Sequence, residues 1–510
     1  MVRTAREITV SFYAPHPALS PNSFTATLPL HAVYKHANEL RERGNVSVVP
    51  DGTNPIPAKH VEWVCFAQPS PTLQIHKLPG RKIFTHRILP LSTERDIDRV
   101  RDSHFHLSHR VPNYTMSASQ AITSPRLTSL DQFRGYTMFG MLLVNFLGGY
   151  DICPRILKHT HDYCSYADTI MPQFLFSAGF AMRLSLGRRI EQNGRMPWGR
   201  AVRRILGLAC IAVFWYSIGD FSSIVGMFQS EPWLQVLARL GKRTWFQTLL
   251  HIAATSLWIL PVIATSSRVR ILYAIFSTIL HVTFSWWFNF GWVNSSPNGI
   301  DGGPLGFLTW SIPALCGTLA CDIVRSSGPA SASRLVSWGL FVMVIGWLCS
   351  LGTVLYDVPL GQVESQLEIR LAADPVVPTV ERLRGWNGRI VEPPFVPPPD
   401  ATLRKWNYWM MSQRCGSMSY TTFAAGISLL LFALFLWVCD ERKLQLGVFR
   451  TLGTNSLAAY ILSDVAMWLV SPWAPNTASP SVVIVAFLCF SGLVYGVCRI
   501  LEAKKIFIRV

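Results

Sequence analysis

The sequence is poor in charge. Asp, Glu, Lys and Arg make up 15% of its 510 residues, where an ordinary soluble domain carries roughly 25%. Acids are the scarcer sign: 29 Asp and Glu stand against 46 Lys and Arg, for a formal net charge of +17. This shortage weighs against a soluble domain. Half the residues are hydrophobic, with 18 Trp and 29 Phe, which points to a polytopic membrane protein. An excess of base would also suit nucleic acid. Here the basic residues lie mostly in short loops between apolar runs, the positive-inside pattern. A lipid bilayer is therefore the expected partner, and nucleic acid is not.

Other features are missing too. No basic start leads into an apolar core and a cleavage site, so no secretory signal is read, and insertion is expected to depend on the first spanning helix. There is no convincing internal repeat. The cysteines are not paired at short spacing and the HTH tripeptide at 159–161 lacks a matching set of ligands, so no metal is expected. Most of the 11 cysteines sit inside apolar runs, as small packing residues do. Cys153 and Cys164 share one short loop and are candidates for a disulfide on an oxidising face.

Residues 1–115 differ from the rest. They hold nine of the 13 histidines with many prolines and arginines, and no sustained period beyond one short helix at HAVYKHANELRER. They read as a poorly ordered extension or as residues upstream of a true start at Met116. Residues 116–510 read as one all-α unit, a polytopic bundle of about ten transmembrane helices. Its apolar runs lie near 132–150, 167–187, 202–219, 245–265, 269–290, 305–324, 335–355, 417–438, 453–471 and 481–501, each long enough to cross the hydrocarbon. Arginine-dense RLSLGRRIEQNGRMPWGRAVRR follows the second run, and other basic loops follow the even-numbered runs. This places both termini in the cytoplasm. The longest connection, about 356–416, is proline-rich and falls on the far side, as a lid over an opening or as a plain surface loop.

Within SLDQFRGYTMFGMLLVNFLGGYD, Asp131 and Arg134 stand three residues apart and share one helix face. Pairing would lower the cost of placing them in a membrane. They read either as a structural ion pair or as Arg134 beside an anionic cofactor with Asp131 orienting it. The next loop carries His159 and His161, with Asp162 beside them. Asp168 opens the second run, where a carboxylate suits a helix N-terminus, and Pro172 follows. Histidine is the side chain best suited to take and return a proton near neutral pH. His251 and His281 fall inside predicted spans. They read as intramembrane functional residues or as neutral rings bonded to a neighbouring helix. Trp286, Trp287, Phe288, Phe290 and Trp292 read as an interfacial belt.

These segments resemble the heparan-alpha-glucosaminide N-acetyltransferase family. RLTSLDQFRG supplies Arg126, Ser129, Asp131, Arg134 and Gly135. YADTIMPQFLFSAGF supplies Asp168, Pro172, Phe174, Phe176 and Gly179, and a loop histidine lies between the two motifs. DGGPLGFLTWSIPALCGTLA, SYTTFAAG and LGTNSLAAY follow in the family's order, while HDYCS stands where the family has Trp-Asn-Gly. The resemblance runs from about Pro125 to the C-terminus. It implies a multi-spanning acetyltransferase, and with no secretory signal or luminal domain read in the sequence, a bacterial-type member of the cytoplasmic membrane is expected rather than a lysosomal one. Such an enzyme carries an acetyl group from cytoplasmic acetyl-CoA to an amino sugar or other glycan acceptor.

On that reading His159 or His161 is catalytic, Asp168 or Asp162 holds the ring, and Asn145 donates to the thioester carbonyl or packs a helix. Arg134, Arg188, Arg189, Arg203 and Arg204 bind the phosphates of CoA, although topology alone also explains the last four. The sequence admits a homodimer. A transporter or flippase with an intramembrane charge or proton path is the rival reading.

Overall fold

The computed structural model describes residues 7–12, 24–29, 46–47, 66–67, 127–328, 331–358, 371–398 and 403–508. The chain divides into two compact units, Met1–Gln120 and Ala121–Val510. In the first, β1 (Glu7–Phe12) pairs antiparallel with β2 (Phe24–Pro29), and β3 (Val46–Ser47) with β4 (Phe66–Ala67). The short helix expected at 31–43 and the start expected at Met116 lie outside the described residues.

The second unit is helical. Its elements are α1 (Thr128–Leu147), α2 (Ile170–Asn193), α3 (Trp198–Gly219), α4 (Phe221–Ser230), α5 (Trp233–Arg239), α6 (Thr248–Ile259), α7 (Ser267–Phe284) and α8 (Phe290–Asn294). These are followed by α9 (Phe307–Ser327), α10 (Ser331–Ser350), α11 (Val380–Arg384), α12 (Met418–Phe435), α13 (Gly447–Thr454), α14 (Ser456–Val470) and α15 (Pro480–Ala503).

Among the described residues, six helical stretches are long and apolar enough to cross a membrane: Trp198–Gly219, Ser267–Asn294, Gly303–Ser327, Ser331–Tyr356, Met418–Glu441 and Pro480–Ala503. A seventh is added if Trp233–Trp245 and Thr248–Val262, bent by 99° at their break, count as one span. These helices mark a multi-pass membrane protein. The number corrects the expected ten. The runs at 132–150, 167–187 and 453–471 do form helices, but α1 and α2 carry charge and α14 has only 15 residues.

The reason lies in their position. α1, α2, α9 and α12 share a core of Leu130, Phe133, Phe176, Phe180, Cys321 and Phe432. A helix walled off by its neighbours can keep polar groups that lipid would penalise. Peripheral α3 and α7 have only 17% of their spanning windows buried and present Phe214, Ile218, Leu272 and Ile279 outward.

Glycines set how closely the central helices approach. A methyl on Gly179 would fall inside the backbone of Ala314, and one on Gly317 inside that of Phe176. Small residues at such crossings let helix backbones touch. Gly317→Ala is expected to cost about 1–3 kcal/mol through overpacking, seen as a lower unfolding temperature of the full chain in detergent.

Cys153 and Cys164 are free thiols, which corrects the candidate disulfide. Both are buried, and they pack apart: Cys164 joins the cluster of Met171, Leu175 and Trp310.

Candidate functional site

The turn that starts α2 is built by Ser165 and Asp168. The Asp168 backbone amide donates to Ser165 Oγ at 3.3 Å, and Asp168 Oδ2 accepts from the Ser165 amide at 3.0 Å. This reciprocal pairing across three residues is a capping box with aspartate in place of glutamate. Oδ2 also lies 2.9 Å from Ser165 Oγ, 2.9 Å from Thr160 Oγ1 and 3.3 Å from the Thr160 amide. Tyr420 on α12 donates its hydroxyl to the Asp168 carbonyl at 2.5 Å.

The carboxylate is thus locked, with a side chain only 1% exposed. Its other oxygen faces His159 Nδ1 at 2.8 Å. The His159 side chain remains 44% exposed. With Nδ1 donating to Asp168, Nε2 holds the free lone pair. Burial pushes the His159 pKa down, but the Asp168 hydrogen bond and the charges of Asp168 and Asp301 outweigh it, so the ring sits above the usual 6.5.

His161 has a different environment. Burial, reinforced by the positive charge of Arg414, lowers it to about 4, and its buried Nδ1 has no well-formed hydrogen bond among the described residues. It is a neutral ring at ordinary pH and a poor proton carrier. The ring of His159 is held by Asp168 and not by Asp162. Burial raises the Asp162 carboxyl above its usual range.

The charge of a second carboxylate, Asp301, is felt by this loop. Asp301, just before the short turn Gly303–Leu305 that leads into α9, is 3% exposed. Its Oδ1 accepts from Gln413 Nε2 at 2.8 Å and its carbonyl accepts from Trp310 Nε1 at 2.8 Å. Trp310 packs edge-on against Tyr420, with centroids 5.7 Å apart. Asp301, Trp310, Tyr420, Asp168 and His159 therefore form one continuous assembly. Sequence reading placed Asp301 in a motif but gave it no role, because a lone loop aspartate carries no signal of burial.

The long connection after α10 is docked onto the same loop. The Cys164 amide donates to the Pro394 carbonyl at 2.8 Å, and Phe395 packs on Phe423 of α12. Arg404, only 4% exposed, joins Asp357 to Glu392 and braces the segment. Its described part is a pinned strap across the loop that carries the histidines.

The opposite end of α1 and α2 holds the other candidates. Twenty residues of α1 span about 30 Å, so the first turn of α1 is far from His159. There Ser129 bonds Asp440, and Gln132 makes a pair of 3.0 Å bonds with the Leu446 backbone. Arg134 donates to Ser456 Oγ at 2.7 Å. A methyl on Gly135 would fall inside the Phe449 backbone, and one on Gly453 inside that of Asp131. The RLTSLDQFRG signature is therefore largely a docking surface for residues 440–456. Next to Ser456, Asn455 is fully buried with neither amide atom bonded.

Arg188 and Arg189 lie in the last turns of α2, and exposed Arg203 and Arg204 in the first turns of α3. All four are at the Arg134 end of these helices. Asn145 is exposed in the last turn of α1 and bonds no described residue, which argues against helix packing as its role.

Where α7 begins and α9 nears its end, Asp322 binds both Arg183 and Arg270, a cluster that apolar periodicity hid. His281 Nδ1 meets Tyr408 Oη at 2.8 Å, whereas neither nitrogen of buried His251 meets a well-formed hydrogen-bond partner among the described residues. Trp286 and Trp287 face outward as a belt would, but Phe290 is buried. Among the described residues no His, Cys, Asp or Glu group is arranged to hold a metal ion. No protein-family model matches this chain, and no curated protein matches it either.

Proposed function

We propose that this chain is an integral membrane acetyltransferase that carries an acetyl group from acetyl-CoA to an amino sugar or other glycan acceptor. The observation that carries the reading is the oriented imidazole: His159 has one nitrogen fixed by a buried carboxylate and the other free at an exposed edge. That arrangement suits a general base. As the acceptor nitrogen attacks the thioester carbon, His159 Nε2 takes a proton from it. When the C–S bond breaks, the sulfur takes that proton back.

Asn145, exposed on the last turn of α1, is the donor proposed for the thioester carbonyl. Arg134, with the unbonded Asn455 amide beside its Ser456 partner, is the first choice for the anionic part of CoA, and the arginines of α2 and α3 supply further charge. The arginine end would face the cytoplasm and its acetyl-CoA.

Membranes containing the full chain, incubated with acetyl-labelled CoA and a panel of amino sugars and glycans, are expected to yield a labelled acceptor. Absence of transfer to every acceptor would sink the proposal. The Arg183–Asp322–Arg270 cluster and buried His251 favour a second reading, a transporter or flippase with an intramembrane charge path. It predicts substrate movement without acetyl-CoA consumption.

A further inference from the structure

Asp301 is held in the left-handed region, which few residues other than glycine, asparagine and aspartate adopt. Its φ is 53°, followed by 82° at Gly302 and 61° at Gly303. Three successive left-handed residues are unusual, and for a residue with a Cβ they persist only when the surroundings impose them. Here the Gly302 amide donates to the Arg414 carbonyl at 2.9 Å, Trp310 holds the Asp301 carbonyl, and Gln413 holds Oδ1. The effect is to fix a buried carboxylate, joined to His159 through Trp310, Tyr420 and Asp168, with Oδ2 accepting from no described residue.

The groups around it are mostly neutral or acidic. His159 and Asp168 lie on the loop, Tyr420 on α12 and Tyr460 on α14, and the charge of Asp301 acts on all four. His251 of α6 lies across Gly306, which has no side chain to separate the two. The Lys242 ammonium is occupied by Ser295, and the Arg414 guanidinium stacks on Trp406. No cation among the described residues forms an ion pair with Asp301. Burial raises its carboxyl to about 6, with His159 and Gln413 drawing it down and Asp168 pushing it up.

We propose that Asp301 is the carboxylate that receives the acceptor, pairing with the ammonium of an amino sugar and removing its first proton. This rests on the acetyl-transfer reading above and adds to it a preference for amines over hydroxyls. The acceptor R–NH3+ gives one proton to Asp301 and becomes R–NH2. Its lone pair attacks the thioester carbon and a C–N bond forms. The second proton passes from nitrogen to His159 Nε2, the C–S bond breaks, and the leaving sulfur takes that proton to give free CoA. Asp301 then releases its own proton to solvent, so each turnover yields one amide, one thiol and one proton. A hydroxyl acceptor carries no positive charge and needs no such partner.

Asp301→Asn tests this with little backbone cost, because asparagine tolerates the left-handed region and its amide oxygen keeps the Gln413 bond. The purified full chain in detergent would be assayed with acetyl-CoA and two acceptors: glucosamine, and an arylamine that is unprotonated at pH 7. The variant is expected to lose about a hundredfold in kcat/KM on glucosamine at pH 7. The loss should shrink as pH approaches the amine's own pKa, with arylamine transfer changed less than about twofold. An equal loss on both acceptors, or no loss on either, would overturn the role of Asp301. Wild-type protein that acetylates neither would overturn the acetyl-transfer reading itself, and this inference with it.

Discussion

His159→Ala is expected to lower acetyl transfer about a thousandfold, within the range a general base contributes, while the protein still folds. The side chain is 44% exposed and its hydrogen bond is to Asp168, so removal costs the fold one partly exposed ring and one bond. His161→Ala serves as the comparison. That ring is already neutral at ordinary pH, pushed to about 4 by burial and Arg414, and its loss should cost less than about tenfold.

In the wild type, kcat/KM should rise with pH along an ionisation above 6.5, because only the neutral His159 can take a proton and its pKa is raised. Stability runs the other way. A group whose pKa is raised by folding stabilises fully below its unfolded value, and that contribution fades as pH climbs through the folded value. Membrane assays showing full activity in His159→Ala would remove the basis of the proposed chemistry.

Asp168→Asn should be nearly as damaging to activity, for a different reason. The amide oxygen can replace Oδ2 among its donors, Ser165 and Thr160. The amide nitrogen then faces His159 Nδ1 and donates to it, which forces the proton onto Nε2 and removes the base. A loss of about a thousandfold or more is expected at little cost in stability, and the residual pH limb should move to lower pH.

Asp168→Ala adds a structural penalty. It strips the acceptor from Ser165, Thr160 and His159 together, and leaving the buried Ser165 donors and the half-buried Thr160 donors unsatisfied should cost about 1–3 kcal/mol. Thermal unfolding in detergent and transfer assays, run side by side, separate the two effects. If Asp168→Asn retained wild-type activity, the tautomer argument would fail.

Much of this arrangement was legible in the sequence, and its gaps have physical causes. Asp168 and its pairing with a loop histidine follow from a carboxylate at a helix start with two histidines just upstream. The helical architecture follows from the apolar runs. The span number does not, because apolar length cannot tell a lipid-facing helix from one enclosed by others. α1 keeps Ser129, Gln132 and Thr137 fully or almost fully buried, and protein rather than lipid surrounds them. Asp131 and Arg134 raised the question of charge in an apolar run, and part of the answer is the 440–456 segment packed against that turn. Asp301 stayed hidden because its importance comes from burial and from backbone torsions set by residues more than a hundred positions away. Arg183, Arg270 and Asp322 were hidden likewise, being distributed over three helices.

The strap that ends near Arg404 has a consequence for which molecules can be used. Arg404 clamps Asp357 and Glu392, and the Pro394 carbonyl is tied to the His159 loop. Lifting it would break a buried charged junction and a main-chain bond at the same time. The segment beside the His159 loop is thus held by charge and main chain together, and on the acetyl-transfer proposal an acceptor would have to fit the approach to the imidazole as folding leaves it.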